Sequence, residues 1–298
     1  MYDTILVPTD GSDAASAAAE GAIALARRFN AKLHVVHVLN LSDLPDGVNE
    51  VAQVSDDLVH HAEKLVATVV DLATNAGLNA RAEVVEAHEP VHKVLVDYAR
   101  DHDVDCIVMG THGRTGLTQL ALGSTAERTL RASSVPVITV HEDGGLDPEF
   151  ERILVPIDGS DAARAAANLA IDLTAETNAA LHIVHVVDIG SIVHEGDSGD
   201  ILAPSEDAGQ QAVDEIVDRA READIRSVEA SVLSGPTHRV IVDYATDRDI
   251  DCIVMGTHGR TGVDRLLVGS VTERVIGLTT LPVIGTKGPA ADDAVGSE

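Results

Sequence analysis

The segment that decides the fold occurs twice in the chain. Residues 96–116 read VDYARDHDVDCIVMGTHGRTG, and residues 242–262 read VDYATDRDIDCIVMGTHGRTG. Two shorter segments return in the same order: ILVPTDGSD at 5–13 and ILVPIDGSD at 153–161, then LHVVHV at 33–38 and LHIVHV at 181–186. The copies are separated by far more than the roughly 20–50 residues of a solenoid repeat. The sequence therefore predicts the duplication of a whole domain.

The repeat divides the chain into two domains of ordinary size. The protein has 298 residues, and single domains usually run to about 100–200 residues. We place the first domain at 1–142 and the second at 149–287. Residues 143–148, DGGLDP, are predicted to be a polar linker, and residues 288–298 a disordered acidic tail.

Short β-rich runs alternate with longer helical patterns in each copy. Continuous Val, Ile and Leu runs are typical of strands buried on both faces, so the pattern predicts an α/β domain with a five-stranded parallel sheet. In the first copy the predicted strands are Thr4–Pro8, Lys32–Val38, Ala80–Val85, Asp105–Met109 and Val135–Val140. The predicted helices are Asp13–Phe29, Asp56–Asn75, Val91–Arg100 and one that begins near Ser124. The second copy follows the same plan, except that the aperiodic, glycine-rich segment Asp188–Ala208 predicts a mobile loop.

The chain is strongly acidic. It has 49 Asp and Glu residues against 21 Lys and Arg residues, which gives a net charge of −28. Such a surface repels DNA and other polyanions, so we expect no nucleic-acid partner. Molar salt screens this repulsion, because the Debye length falls to about 3 Å at 1 M. Scarce lysine and an aromatic content of 2% favour the cytoplasm of a halophile over an ordinary acidic protein.

Targeting and membrane signals are not evident. No apolar run reaches the roughly 18 residues expected of a membrane-spanning helix, so we expect no membrane association. The first residues lack the basic and apolar regions of a signal peptide, which predicts a cytoplasmic protein.

The cysteines and histidines favour structural roles. Cys106 and Cys252 fall in matching apolar runs, so each is predicted to be a buried core residue. His34 and His37 lie on opposite faces of a strand and cannot share a metal ion easily, and we expect no metal site. His112 has no evident partner carboxylate or nucleophile, so we interpret it as a packing or hydrogen-bonding residue. His258 occupies the same place in the second copy.

A glycine-rich loop follows the fourth strand in each copy. Gly110, Gly113 and Gly123 precede a helix that starts at Ser124 and Thr125, and this spacing predicts a phosphate site at the helix start. Arg114 or His112 would add positive charge. The second copy repeats the spacing with Gly256, Gly259, Gly269 and Ser270.

The end of the first strand is the second candidate segment. Ser12 or Asp13 is predicted to cap the following helix. Asp10 stands ahead of the cap, where a carboxylate could bind a ribose or a divalent cation. A structural role, in which Asp10 accepts loop N–H groups, fits the sequence equally well.

These motifs together resemble the universal stress protein family, and the glycine spacing is similar to that of its ATP-binding subclass. The resemblance implies a Rossmann-like domain of the adenine nucleotide α-hydrolase type. It implies that backbone near the ends of the first two strands holds adenine, at Pro8, Thr9, Asp10 and Val38, and at Pro156, Ile157, Asp158 and Val186. It places the ribose and phosphates on Gly110, Gly113, Arg114, Gly123, Ser124 and Thr125, and on Gly256, Gly259, Arg260, Gly269, Ser270 and Val271.

The resemblance also carries expectations about function and assembly. It implies an ATP-binding regulator of a stress response, with or without Mg²⁺, that acts on an unknown protein partner. It implies an intrachain pseudo-dimer through the last strands, Val135–Val140 and Leu281–Thr286, and leaves a further homodimer open. Catalytic residues are not expected, because neither loop has a Walker lysine, and we therefore do not expect fast ATP hydrolysis. A slow ATPase or nucleotidyl-transfer enzyme, and a scaffold with a vestigial site, remain as alternatives.

The two copies differ at the expected site. Val271 stands where the first copy has Thr125, and Ile157 stands where it has Thr9, which predicts weaker ATP binding in the second copy by about 1 kcal/mol per lost hydrogen bond. Glu89, close to the expected phosphates, would instead weaken the first site. The order of the two affinities therefore stays open.

Overall fold

The computed structural model describes residues 1–43, 51–113, 122–188, 202–258 and 268–288. The chain divides into two compact units, Met1–Pro148 and Glu149–Glu298. Each unit is an α/β domain, and each is described below by itself.

The first unit contains one parallel sheet in the order β3–β2–β1–β4–β5. Its strands are β1 (Thr4–Pro8), β2 (Lys32–Asn40), β3 (Ala80–Ala87), β4 (Cys106–Gly110) and β5 (Val137–Val140). Its α-helices are α1 (Asp13–Phe29), α2 (Val51–Asn75), α3 (Val91–Asp101) and α4 (Ser124–Ala132), and a 3₁₀ turn spans Leu41–Asp43. Because the chain winds outward from β1 to β3 and then returns to β4, the direction of winding reverses between β1 and β4, which is where open parallel sheets bind ligands.

The second unit repeats this arrangement in the order β8–β7–β6–β9–β10. Its strands are β6 (Arg152–Ile157), β7 (Ala180–Val187), β8 (Val228–Ser234), β9 (Cys252–Gly256) and β10 (Val283–Thr286). Its α-helices are α5 (Asp161–Thr177), α6 (Leu202–Glu222), α7 (Thr237–Asp247) and α8 (Ser270–Leu278). The predicted fold class, two tandem five-stranded parallel α/β domains, is confirmed. Within the described ranges, no helix combines the length and hydropathy needed to cross a bilayer.

The central strands form the core of each unit. Ile5 and Leu6 pair with Cys106 and Ile107, and all four side chains are fully buried. The continuous apolar runs of β1 and β4 are therefore explained by burial on both faces. The predicted core role of the cysteines is confirmed, since both are free and buried. Burial, together with a neighbouring aspartate, raises the pKa of each thiol well above its usual range.

Helix α1 is defined at both ends by its own sequence. The Oγ atom of Ser12 accepts a hydrogen bond from the Ala15 N–H at 3.2 Å, which confirms Ser12 as the N-cap. Asn30 ends the helix in the left-handed region, at φ 55°. Helix α5 has the same pair of caps in Ser160 and Asn178.

Several predicted boundaries differ from the structure. The prediction of a loop over Asp188–Ala208 is wrong for residues 202–208, because α6 begins at Leu202. Pro204 fits there because the first turn of a helix needs no N–H donor for an intrahelical bond. Residues 189–201 lie outside the described part of the chain. Helix α2 likewise begins at Val51, before the predicted Asp56, and β5 begins only after Pro136.

The segment predicted to be a linker lies within the first compact unit. Leu146 is buried, and a Cβ atom on Gly21 of α1 would lie 2.5 Å from the Cβ of Leu146. Gly21 therefore opens the space on α1 that this side chain fills. The exact division into domains, linker and tail stays a prediction, and so does the pairing of the two last strands.

A single aspartate at the start of β4 ties that strand to the start of β1. The Oδ2 atom of Asp105 accepts hydrogen bonds from the N–H groups of Asp3 and Thr4 at 2.7 and 2.8 Å. Asp251 does the same in the second unit, where it accepts from Glu151 and Arg152 at 2.8 Å each. The aspartate before each cysteine in the repeated segment thus aligns the two central strands.

A second polar cluster lies beneath α3. His34 of β2 is 9% exposed and meets Tyr98 and His102 edge to face, at ring distances of 6.1 and 5.9 Å. Its Nδ1 atom has no hydrogen-bond partner among the described residues. Burial, followed by the charges of Arg81 and His102, lowers the pKa of His34 to about 4. Glu83 acts in the opposite direction and only partly offsets these effects.

We expect Asp105→Ala to loosen β1 without changing the second unit. The variant removes the acceptor of two backbone hydrogen bonds, which should cost about 1–3 kcal/mol. Hydrogen–deuterium exchange of peptides that cover 3–8 should be faster, and exchange in 151–157 should be unchanged. Asp251→Ala is the matched control and should give the reverse pattern. Equal exchange of both strands in the two variants would contradict the role of these carboxylates.

We expect His34 to make the first unit less stable at mildly acidic pH. The unfolded histidine takes up a proton near pH 6.5, whereas the folded one does so only near pH 4. The free energy of unfolding should therefore fall as the pH falls through this window, by up to about 1.4 kcal/mol per unit of pKa difference. In His34→Phe the loss should be smaller, whereas His60→Gln, on the surface of α2, should behave as the unchanged protein. Identical pH profiles for His34→Phe and the unchanged protein would refute this.

Candidate functional site

The first unit has a cavity at the carboxyl edge of its sheet. Its volume is about 480 Å³, within the range of about 300–1,000 Å³ typical of ligand pockets. It lies where the winding reverses between β1 and β4. The lining residues come from the strand ends, the first turns of α1, α3 and α4, and the segments between them: Pro8, Thr9, Asp10, Ala15, Val36, His37, Val38, Val91, Leu95, Met109, Gly110, Thr111, His112, Gly113, Leu122, Gly123, Ser124, Thr125 and Ala126.

Most of the site residues predicted for the first copy meet at this cavity. The members that line it are Pro8, Thr9, Asp10, Val38, Gly110, Gly113, Gly123, Ser124 and Thr125. The predicted residues Arg114, Gly259 and Arg260 lie outside the described part of the chain. The two candidate segments of the sequence, the end of β1 and the glycine-rich loop, therefore face one another across a single space.

The backbone of Thr9 is already engaged within the protein. Its N–H donates to the carbonyl of Val36 at 2.9 Å, and its carbonyl accepts a hydrogen bond from Nδ1 of His37 at 2.7 Å. Because a carbonyl oxygen can only accept, Nδ1 of His37 carries a proton. The side-chain oxygen of Thr9 accepts from the Gly11 N–H at 3.3 Å. Thr9 therefore shapes the wall of the cavity and holds the His37 ring.

Asp10 makes a local turn and also faces the glycine-rich loop. Its Oδ1 atom accepts a hydrogen bond from the Ser12 N–H at 3.0 Å, which gives it the structural role that the sequence left open. Its Oδ2 atom would lie 2.8 Å from a Cβ atom on Gly113. A side chain at position 113 would force the Asp10 carboxylate to move, so the glycine lets the loop approach this carboxylate in its present position.

Gly110 has a different reason to be glycine. A Cβ atom at this position would lie 2.7 Å from the carbonyl carbon of Ala14 in α1. Gly256 meets Ala162 at the same distance in the second unit. These two glycines therefore permit the helix to pack against the end of the strand, and Gly110 also lines the cavity.

The start of α4 presents backbone donors to the cavity. Gly123 is the N-cap, and its N–H donates to the Thr111 carbonyl at 2.8 Å, which closes the glycine-rich loop. The next N–H groups, at Ser124 and Thr125, have no carbonyl partner within the helix. Both residues line the cavity, and the side chain of Ser124 is exposed. This helix start therefore offers a place for an anion.

Three helix starts contribute positive potential to the same space. Ala15 of α1, Val91 of α3 and Ser124 of α4 all line the cavity. The positive ends of the three helix dipoles are thus directed towards it. Among the lining residues that the structure describes, Asp10 is the only Asp, Glu, Lys or Arg.

The apolar floor of the cavity was missed by the sequence analysis. It consists of Val36, Val91, Leu95, Met109 and Ala126. Val91 and Leu95 are separated by one helical turn on α3, so a helical spacing was visible, but it is also the spacing of an ordinary core face. Such a floor suits a flat, largely apolar group rather than a charged one.

The two histidines of the cavity are held by hydrogen bonds, which supports the structural interpretation of the loop histidine. Nδ1 of His112 and the hydroxyl of Thr111 are hydrogen-bonded at 2.9 Å, and the ring of His112 meets that of His141 edge to face at 5.8 Å. Nε2 of His112 is buried without a partner among the described residues. In the described ranges, no group of three or more His, Cys, Asp or Glu residues could hold a metal ion.

The second unit repeats two hydrogen bonds of the first and differs from it at one position of α8. Asp158 repeats the turn of Asp10, with its Oδ1 atom 2.9 Å from the Ser160 N, and the Gly269 N–H donates to Thr257 at 2.7 Å. Thr272 stands where the first unit has Ala126, and its hydroxyl donates to the Gly256 carbonyl at 2.8 Å. The extra side chain reduces the space between helix and sheet.

The strand-two histidine also has a different environment in the second unit. Nδ1 of His185 donates to the Ile157 carbonyl at 2.9 Å, as His37 does to Thr9. His185 is buried, and a Cβ atom on Gly209 of α6 would collide with its ring. His37 is half-buried and lines the cavity. The two rings therefore have different surroundings despite nearly identical local sequences, LHVVHV and LHIVHV.

Comparison with known proteins agrees with this architecture. The family described as the Universal stress protein family matches residues 1–141 and 149–287. A universal stress protein of Methanocaldococcus jannaschii is 36% identical over 143 residues, which cover 47% of this chain and 84% of that protein. A universal stress protein of Mycobacterium tuberculosis is 28% identical over 292 residues, which cover 94% of this chain and 95% of that protein.

A solved structure shares the fold along the whole chain. A universal stress protein from Archaeoglobus fulgidus covers 97% of both chains with a TM-score of 0.72 and a sequence identity of 24%. Because the family match extends over both repeats, the chain belongs to the universal stress protein family and contains two tandem copies of its domain.

Proposed function

We propose that the first unit binds an adenine nucleotide, with ATP as the ligand, and that the protein acts as a nucleotide-dependent regulator in a stress response. The observation that carries this proposal is the cavity of about 480 Å³ between an apolar floor and the start of α4. One end of this space suits a heterocyclic base, and the other suits phosphates. The proposal rests on family resemblance for the identity of the base.

The base would lie on the apolar floor. Val36, Val38, Val91, Leu95 and Met109 offer apolar surface at the ends of β2 and β4 and on α3. Burying the faces of a purine there would remove apolar area from water, which contributes a favourable free energy of about 25 cal/mol per Å² buried. Backbone groups near Val38 remain the candidates for its polar edge, because both backbone groups of Thr9 are engaged elsewhere.

The phosphates would lie at the start of α4. The N–H groups of Ser124 and Thr125, their hydroxyls and the dipoles of three helices act on the same place. Asp10 would then face the ribose, or a Mg²⁺ ion held mainly by phosphate oxygens, since Mg²⁺ commonly uses only one or two protein carboxylates. These residues fit such an ion, and it would supply charge neutralisation.

A regulatory role requires that the bound and empty states differ. A ligand shifts a protein between two states only as far as it binds them unequally. The proposed contacts join the first turns of α1 and α4 and the floor on α3, which belong to separate elements. A nucleotide that binds all three would stabilise one arrangement of these helices for an unknown protein partner.

The second unit would bind the same ligand more weakly. Val271 lacks the hydroxyl of Thr125, and Thr272 occupies space that Ala126 leaves open. We further propose that the protein works in a salt-rich cytoplasm, because the charge of −28 opposes the binding of a polyanion unless salt screens it. Binding should therefore be measured in molar KCl with Mg²⁺.

We expect Gly113→Ala to weaken ATP binding at the tighter site roughly tenfold, a change of about 1.4 kcal/mol. The added Cβ would lie 2.8 Å from the Asp10 carboxylate and would displace it. Isothermal titration calorimetry of the full chain should show this tenfold weakening at the tighter site. Gly145→Ala is the matched control, because a Cβ there has no neighbour within 4 Å.

Two results would count against the proposal. If the unchanged protein binds no adenine nucleotide in this buffer, the scaffold interpretation replaces it. If ATP is rapidly converted to ADP or AMP, the enzyme interpretation replaces the regulator.

A further inference from the structure

The sulfur atoms of the chain differ in their access to solvent. The sequence contains two cysteines and three methionines: Cys106, Cys252, Met1, Met109 and Met255. Both cysteines are buried, and burial raises the pKa of each thiol, so very little thiolate is present to react with an oxidant. Met1 is 43% exposed, whereas Met109 and Met255 are each 5% exposed. Exposure alone therefore does not distinguish Met109 from Met255.

The side chain of Met109 belongs to the floor of the first cavity. The register of β1 and β4, continued by two residues, places Met109 level with Pro8, which pairs with Val36 of β2. All three line the cavity. The next residue, Gly110, faces Ala14 of α1. Successive residues of a strand project from opposite faces, so Met109 points away from α1 and into the space beneath α3 and α4.

The second unit has an additional side chain at the corresponding place. Thr272 stands where the first unit has Ala126, which lines the cavity. Thr272 is buried, and its hydroxyl donates to the carbonyl of Gly256, the residue after Met255, at 2.8 Å. Met109 instead lies against an open space of about 480 Å³. A small oxidant can therefore enter the space beside Met109, whereas we expect it to reach Met255 only through local opening of the second unit.

We propose that Met109 is an oxidation site whose state controls ligand binding in the first cavity. The oxidant is a peroxide. A lone pair of the thioether sulfur attacks one peroxide oxygen, so an S–O bond forms and the O–O bond breaks. The sulfur loses two electrons and becomes a sulfoxide, and the peroxide is reduced by the same two electrons. The departing hydroxide takes up the proton of the transferred oxygen, so hydrogen peroxide leaves as water.

The sulfoxide would change the chemistry of the cavity floor. Its oxygen is a polar hydrogen-bond acceptor, and the other side chains of the floor are aliphatic and donate no hydrogen bond. A flat group bound there would remove this oxygen from water without a replacement partner, which is unfavourable. Oxidation would therefore weaken binding of the base, and a bound base would shield the sulfur. This control of binding rests on the proposed function, whereas the preferential oxidation of Met109 does not.

The first experiment compares the three methionines in the full chain after bound nucleotide has been removed. Dilute hydrogen peroxide is added in molar KCl with Mg²⁺, and peptide mass spectrometry follows the sulfoxide at each position. Met1 should react fastest, and Met109 should react at least about tenfold faster than Met255, because it needs no local opening. ATP at about a hundred times its Kd should slow Met109 about a hundredfold, since only the empty fraction reacts, and should leave Met1 unchanged.

The second experiment measures ATP binding before and after peroxide treatment. The affinity of the tighter site should fall about tenfold on oxidation. Met255→Leu is the matched control and should show the same fall. Met109→Leu keeps an apolar side chain without sulfur, so peroxide should not change its affinity. Methionine sulfoxide reductases should restore the affinity of the oxidised protein, which distinguishes oxidation of the floor from irreversible unfolding.

The outcomes separate this inference from the proposed function. Equal oxidation rates at Met109 and Met255 would overturn the oxidation site and leave nucleotide binding intact. Preferential oxidation of Met109 with unchanged ATP affinity, or an equal loss of affinity in Met109→Leu, would overturn the control of binding. If the unchanged protein binds no nucleotide, the proposed function and the control of binding both fail, and preferential oxidation of Met109 would support the oxidation site alone.

Discussion

The packing of α1 against the end of β4 is the contact on which the site depends. Gly110 lets the backbone of Ala14 approach so closely that any side chain at 110 would collide with it. That approach places the start of α1 beside the glycine-rich loop, and the contact between Gly113 and Asp10 follows from it. At the opposite end of β4, Asp105 accepts hydrogen bonds from the start of β1 and so holds these two neighbouring strands together. Both contacts recur in the second unit, at Gly256 and at Asp251.

Much of the fold could be predicted from the sequence because its signals are local and occur twice. Continuous apolar runs identify buried parallel strands, and Ser12 identifies the start of α1. The start of α6 was missed because residues 202–208 follow an aperiodic segment. Those seven residues are too few for a helical spacing of apolar residues to be recognised. Leu146 was read as part of a polar linker, since burial on Gly21 depends on a tertiary contact that no local pattern encodes.

The candidate site was predictable in part for the same reason. Glycines that pack closely against backbone, such as Gly123, are recognisable in the sequence because their spacing occurs in both copies. The apolar floor did not, because Leu95 on α3 has the spacing of any core residue. The two repeats therefore share a framework but differ in single side chains near the strand ends, such as Thr272 in the place of Ala126.

The central claim is that this duplicated domain holds an adenine nucleotide, and the most direct measurement is the nucleotide content of the purified chain. The protein would be prepared in molar KCl with Mg²⁺ and denatured, and the released small molecules would be separated and identified by mass spectrometry. The account predicts unhydrolysed ATP, at about one per chain or more, with the first unit filled before the second. A preparation that releases no nucleotide, and that takes up none when ATP is added, would contradict it.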